Sequence, residues 1–187
     1  MRANIFDNPN DLPILDEADI GDSDSIVLLS QTQGASRMLL NDLRWGRARI
    51  TDFTISSAQL LALNTTPITV LPAVANYYHL FTGAALFLDY NSAAYAGIAA
   101  GEDLAFRYTD GSGAIVGEVE TTGFLDATAD ARRWCYSHAV GATLPVTSIT
   151  PVAASPLVLH LLSGNITTGN SPLYGRIWSR LIPSTLP

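Results

Sequence analysis

From residue 50 onward, short apolar runs alternate with clusters of Gly, Asn, Asp, Ser and Pro. Period-two alternation bounded by turn residues predicts strands. Here the strands fall over 50–56, 67–71, 77–90, 103–109, 114–121, 132–140, 145–150, 157–163 and 173–182. The last is the clearest: Tyr174, Arg176, Trp178, Arg180 and Ile182 point one way, and Leu173, Gly175, Ile177, Ser179 and Leu181 point the other. Arginines alternating with aromatics on one side suit a sheet face that meets a neighbouring subunit while staying partly polar. Residues 57–64 fit a helical turn equally well, capped by Ser56 or Ser57. Asp110-Gly111-Ser112-Gly113 is a hairpin signal, with the glycines expected at positive φ. Short strands at this spacing predict an all-β fold, a β-sandwich or jelly roll, rather than a β/α repeat.

The first 49 residues read differently. An apolar run over 25–30, a turn around Gly34 and a second run over 37–40 make a small hairpin, followed by a helical turn over 41–44 with Asn41 as its cap. Residues 1–24 hold Pro9, Pro13 and many Asp and Asn, with too little apolar surface to offset the entropy of ordering. They predict an extended arm that either docks on a partner through Ile5, Phe6, Leu12, Ile14 and Leu15 or simply frays. The expected organisation is thus an arm with a small hairpin over 1–49 and a β domain over 50–187.

Charge sharpens that division. Asp7, Asp11, Asp16, Glu17, Asp19, Asp22 and Asp24 stand against Arg2 alone, so the arm carries −6 of the chain's net −7. The whole chain is 48% hydrophobic and only 14% charged, whereas soluble chains average about 25% charged. Part of such a surface is expected to be covered by copies of the same chain, giving a homo-oligomer, or by a partner, the alternative being a surface tiled with Ser, Thr, Asn and Gly. All ten basic residues are arginine, the side chain best suited to interfacial carboxylate pairing. The acidic balance argues against nucleic-acid binding. Cys135 is the only cysteine, so no internal disulfide forms. Neither a signal peptide nor an apolar run of about 20 residues is visible, so no membrane partner is expected and the chain is placed in a cytosol until it is assembled.

Chemistry is sparse. His79, His138 and His160 lie in predicted strands among apolar neighbours, which favours core or interface roles over a catalytic base. Cys135 and His138, three apart, would face opposite sides of a strand. No nucleophile-elbow, zinc-protease or phosphate-loop pattern occurs. Glu118 and Glu120 share a strand face and Glu102-Asp103 opens a strand, an arrangement more typical of a solvated edge than of a glycosidase pair. No catalytic residue, cofactor site or metal site is expected. The Asn-x-Thr triplets at Asn64 and Asn165 carry little weight. Tyr77, Tyr78, Tyr90, Tyr95, Trp134, Tyr136, Tyr174 and Trp178 suit the core, a subunit interface or a sugar-stacking platform.

Asp22 to Ser30, continuing through Gly34 to Arg44, resembles the leader of many tailed-bacteriophage fibre and decoration proteins, where an acidic start precedes a short strand, a Gly/Ser turn and a leucine-rich stub. Ala85–Tyr90, Leu104–Tyr108, Leu157–Ile166 and Arg176–Arg180 are similar to the β body of such proteins. The resemblance covers residues 15–187 and carries no diagnostic motif. It implies a non-enzymatic virion structural protein, assembled in the bacterial cytoplasm and homotrimeric or otherwise oligomeric. Its partners would be the major capsid protein or another virion component. A capsid decoration (cement) role is favoured, because fibre proteins usually continue into long shafts. The alternative is a tail, fibre or receptor-binding tip that recognises a host surface glycan. The interface residues under either role would be the arm anchors together with Tyr174, Arg176, Trp178 and Arg180.

Overall fold

A computed structural model describes residues 25–30, 34–39, 49–137 and 149–185. The chain divides into two compact units, Met1–Gly46 and Arg47–Pro187. In the first, β1 (Ser25–Ser30) and β2 (Gly34–Leu39) form an antiparallel hairpin with Ser30 opposite Gly34. The expected arm over 1–24, with Ile5, Phe6, Leu12, Ile14 and Leu15, and the helical turn over 41–44 lie outside the described residues.

The second unit contains β3 (Arg49–Ile55), α1 (Ser57–Leu61), β4 (Ile68–Leu71), β5 (Tyr77–Leu88), β6 (Asp103–Tyr108), β7 (Ile115–Glu120), β8 (Ala131–Tyr136), β9 (Leu157–Leu161) and β10 (Leu173–Pro183). The eight strands make two antiparallel sheets, ordered β3-β10-β5-β8 and β4-β9-β6-β7. Within this unit the first strand pairs with the last, the second with the seventh, the third with the sixth and the fourth with the fifth. The chain thus doubles back as one long ladder whose apex is the β6–β7 turn. The pairs β10–β5 and β9–β6 then roll the ladder into two stacked sheets. That is the strand order of a jelly roll, within the all-β sandwich class that the alternation predicts.

The apex turn forms for a different reason from the one its glycines suggest. Neither Gly111 nor Gly113 has a positive φ; the positive value belongs to Thr109, at 69°. The turn is held by Asp110, whose Oδ1 accepts from the Ser112 amide at 2.8 Å and from its hydroxyl at 2.6 Å. Gly113 is required by proximity, since a Cβ there would lie 1.7 Å from the Tyr108 carbonyl oxygen. At α1 the sequence signal holds. Ser56 caps the helix, and its side chain and that of Gln59 close a reciprocal capping box.

One core fills the space between the sheets. Phe81 and Phe106 stack with ring centroids 5.0 Å apart, and Phe53 meets Phe106 edge-on at 6.5 Å. Ile55, Leu86, Leu88, Leu104, Leu157, Leu159, Leu173 and Ile177 surround them, all buried. Full burial of such side chains contributes about 1.5–3 kcal/mol each. The expected strand at 132–140 stops at Tyr136 among the described residues. That at 145–150 lies mostly outside them, and Ile149 and Thr150 are not in a strand.

Candidate functional site

The outer face of the β3-β10-β5-β8 sheet is built from the alternate residues that the core does not use. On β10 these are Tyr174, Arg176, Trp178 and Arg180, while Leu173, Gly175, Ile177, Ser179 and Leu181 are buried. On β8 they are Arg132, Trp134 and Tyr136, and on β3 they are Ile50, Asp52 and Thr54. Strand register arranges them in three rows across the sheet. One row runs Thr54, Tyr174, Phe87, Arg132; the next Asp52, Arg176, Ala85, Trp134; the third Ile50, Trp178, Gly83, Tyr136.

Small residues on β5 give this face its shape. Gly83 sits so close to β8 that a Cβ would approach the Cys135 carbonyl oxygen to 2.8 Å, and Ala85 is the next outward residue. Around them the large side chains pair. The Trp134 and Trp178 rings lie parallel within 10°, with centroids 6.2 Å apart. Phe87 stacks on Tyr174 at 6.2 Å, and the Arg132 guanidinium lies 4.5 Å above the Phe87 ring. Together they border an open groove of about 450 Å³ over Ala85. Trp134 is 66% exposed, Tyr136 77% and Ile50 60%. Large aromatic groups left to solvent in one contiguous patch make this face the candidate site.

The polar groups of the face are as ordered as its rings. Arg176 grips Asp52 with both arms of its fork, Nε to Oδ1 at 2.6 Å and Nη2 to Oδ2 at 2.8 Å. That hydrogen bond holds the Asp52 carboxyl below its ordinary range and raises the Arg176 guanidinium. Both side chains stay more than half exposed, so the pair fixes geometry rather than adding much stability. With Arg132, Arg176 and Arg180 against Asp52, the face carries +2 on a chain of net −7.

Of the sequence-derived interface set, Tyr174, Arg176, Trp178 and Arg180 share this face, while the arm residues lie outside the described region. The aromatic candidates divide. Tyr95 is buried and its hydroxyl donates to the Ser171 carbonyl, so it belongs to the core; burial pushes it up to about 12. Arg132, Phe87 and Asp52 were not singled out by the sequence. The Arg132-Trp134-Tyr136 alternation on β8 repeats the arginine–aromatic pattern of β10 and is the signal that would have found the first.

The groups that chemistry would draw on are engaged in the fold. The Nε2 atoms of His79 and His160 hydrogen-bond the carbonyls of Pro72 and Asn64, at 2.8 and 3.0 Å. These carbonyls flank β4 on either side, and burial lowers both imidazoles. His138 lies outside the described residues. Cys135 faces the core, where burial pushes its thiol up to about 11. Glu102 is buried and accepts the Ser163 amide at 2.8 Å. Glu118 and Glu120 do share the outward side of β7. Asp103 stands opposite Glu120; desolvation, followed by the neighbouring carboxylates, raises its carboxyl. Asn64 and Asn165 clasp two loops together, the Asn165 Oδ1 accepting the Asn64 amide at 3.0 Å.

Among the described residues no three His, Cys, Asp or Glu side chains cluster to hold a metal, and no helix is long and apolar enough to cross a membrane. In comparisons with protein-family models, curated proteins and solved structures, nothing matches this chain.

Proposed function

We propose that this chain is a non-enzymatic structural protein of a phage particle. Its N-terminal arm attaches it to the capsid or another virion component, and copies gather through the β domain as a homo-oligomer, a trimer in the simplest case. Of the two roles open to such a protein, the geometry favours a recognition tip over a cement. The observation that carries this is the grooved face around Trp134 and Trp178. It is concave, aromatic and charged +2, so two such faces brought together would repel.

Decoration by self-association is the second reading. It is favoured by the apolar area that Ile50, Trp134 and Tyr136 leave exposed, which a neighbouring copy would cover. Fluorescence quenching separates the two in the intact assembled protein. In a Trp45→Phe/Trp178→Phe variant Trp134 is the one indole of the chain, so acrylamide quenching reports it alone. A tip leaves Trp134 open to the quencher in the oligomer, whereas a cement contact shields it. A chain that light scattering finds monomeric at all concentrations would remove the oligomer from both readings.

A further inference from the structure

We propose that the groove over Ala85 binds an anionic saccharide, a sugar bearing a carboxylate, stacked on Trp134 and Trp178 and held by Arg132 and Arg176. This rests on the recognition-tip reading and names its ligand class.

Size is the first argument. At about 450 Å³ the groove falls in the range of small-ligand sites, roughly 300–1,000 Å³, and it combines apolar walls with a few convergent polar groups. The walls suit a sugar ring. The C–H bonds on the flat side of a pyranose carry slight positive charge, and the faces of the parallel indoles carry the complementary negative charge. The hydroxyls on the ring edge need both donors and acceptors, and the floor supplies both. Asp52 is ionised and fixed, and Arg176 uses two of its five N–H groups on Asp52, leaving three for a ligand.

Charge then selects among sugars. The Arg132 guanidinium lies over the Phe87 ring, 4.5 Å from its centre, and has no carboxylate partner among the described residues. A guanidinium held over a ring without a carboxylate partner keeps its N–H groups for a ligand, and its fork can grip a carboxylate in a two-pronged contact. It stands one row from Trp134, within reach of a substituent on a ring stacked there. An extended acidic peptide fits less well. The backbone groups of a central sheet region pair sideways with neighbouring strands, so the face offers a peptide no main-chain ladder.

The test uses the full chain, titrated calorimetrically and by tryptophan fluorescence with sialyllactose and a glucuronate-ended oligosaccharide, with lactose as the neutral counterpart. Both acidic sugars should bind, and lactose should bind at least about tenfold more weakly. Trp134→Ala should weaken the acidic sugars by about tenfold or more. Arg132→Gln should bring their affinity down to that of lactose. Both side chains are exposed, so the melting temperature should hold in each variant and loss of folding would be visible. The inference is overturned if neither acidic sugar binds, if lactose binds equally well, if Trp134→Ala binds like wild type, or if polyglutamate binds where the sugars do not. In each of these cases a Trp134 still open to quencher leaves the tip reading standing. A Trp134 shielded by a second copy overturns both.

Discussion

The two outer faces of this sandwich share one core and have opposite fates. On the β4-β9-β6-β7 sheet, Ala105, Val158 and His160 alternate with core residues and so point outward, yet they are 0%, 4% and 7% exposed. The loop before β4 is fastened to this side where His160 meets the Asn64 carbonyl, and Pro67 and His160 crowd Gly111 at the apex turn. The charged residues left at the margin of that sheet are mostly acidic, Asp103, Glu118 and Glu120, with Arg107 beside them. On the β3-β10-β5-β8 sheet, Trp134 and Tyr136 remain open. The burial pattern along a strand therefore gives a side chain's direction, while connecting segments decide whether the outward side is surface or interior. A face left bare across four strands, with aromatic rings on three of them, is what sets this sheet apart.

The sharpest break of this comparison goes through what the faces share. Phe106→Ala removes a fully buried ring that stacks on Phe81 from one sheet and meets Phe53 from the same opposing sheet. It should cost about 3–5 kcal/mol in denaturant unfolding, and both faces should be lost in a single transition. Separate transitions would show that the sheets are not one cooperative unit.

Gly83→Ala targets the aromatic side alone. The new methyl would press on the β8 backbone, so a cost of about 1–3 kcal/mol is expected, with altered tryptophan fluorescence as the Trp134–Trp178 pair moves. Gly164→Ala meets nothing within 4 Å and serves as the control, changing stability by no more than about 0.5 kcal/mol. Equal effects from the two would refute the close strand approach.

Acid should weaken the covered side first. His160, with Arg107, Glu102 and Asp110 around it, and His79, beside Arg49, bind protons less readily folded than unfolded. The Nδ1 atoms of both are buried without a hydrogen-bond partner, so protonation there creates an unsatisfied donor. The unfolded chain then binds more protons, and stability is complete above the unfolded value of 6.5 and falls as the pH drops below it. Asp103 acts oppositely and at lower pH. Its raised carboxyl lets the folded chain take a proton first, relieving repulsion as the pH falls toward 3.8. Melting temperatures should fall from about pH 7.5 to about pH 5.5, and His160→Gln should flatten the slope. Hydrogen exchange should show residues 64–72 opening first; uniform loss would contradict the histidine clamps.

Trp134→Ala should have the smallest effect on stability, within about 0.5 kcal/mol by thermal melting, because an exposed side chain gives up little on truncation. A larger loss would mean that the indole pair supports the sheet rather than waits for a ligand.

Much of the strand layout was legible because strand formation here is local. The pattern of β10 gave its inward and outward sides residue by residue, and Ser56 with Gln59 announced α1. The site was legible only by halves. Trp178 and Arg176 could be placed on a face, but Asp52 lies 124 positions from Arg176 and nothing nearby in the chain links them. Tyr95 and Trp134 carry equal weight as aromatic candidates in the sequence, yet one is core and the other surface.

By itself, then, the sequence determined the strands, their two-sidedness and the pairing of an acidic leader with a charge-poor β body, since these follow from side-chain type and a period of two. The tertiary structure alone decided which strands became neighbours, and with that which arginine met which carboxylate and which aromatic rings came together. Which strands become neighbours is set by distant segments competing to bury the same core, whereas the apolar pattern and the turns fix register only once two strands are paired.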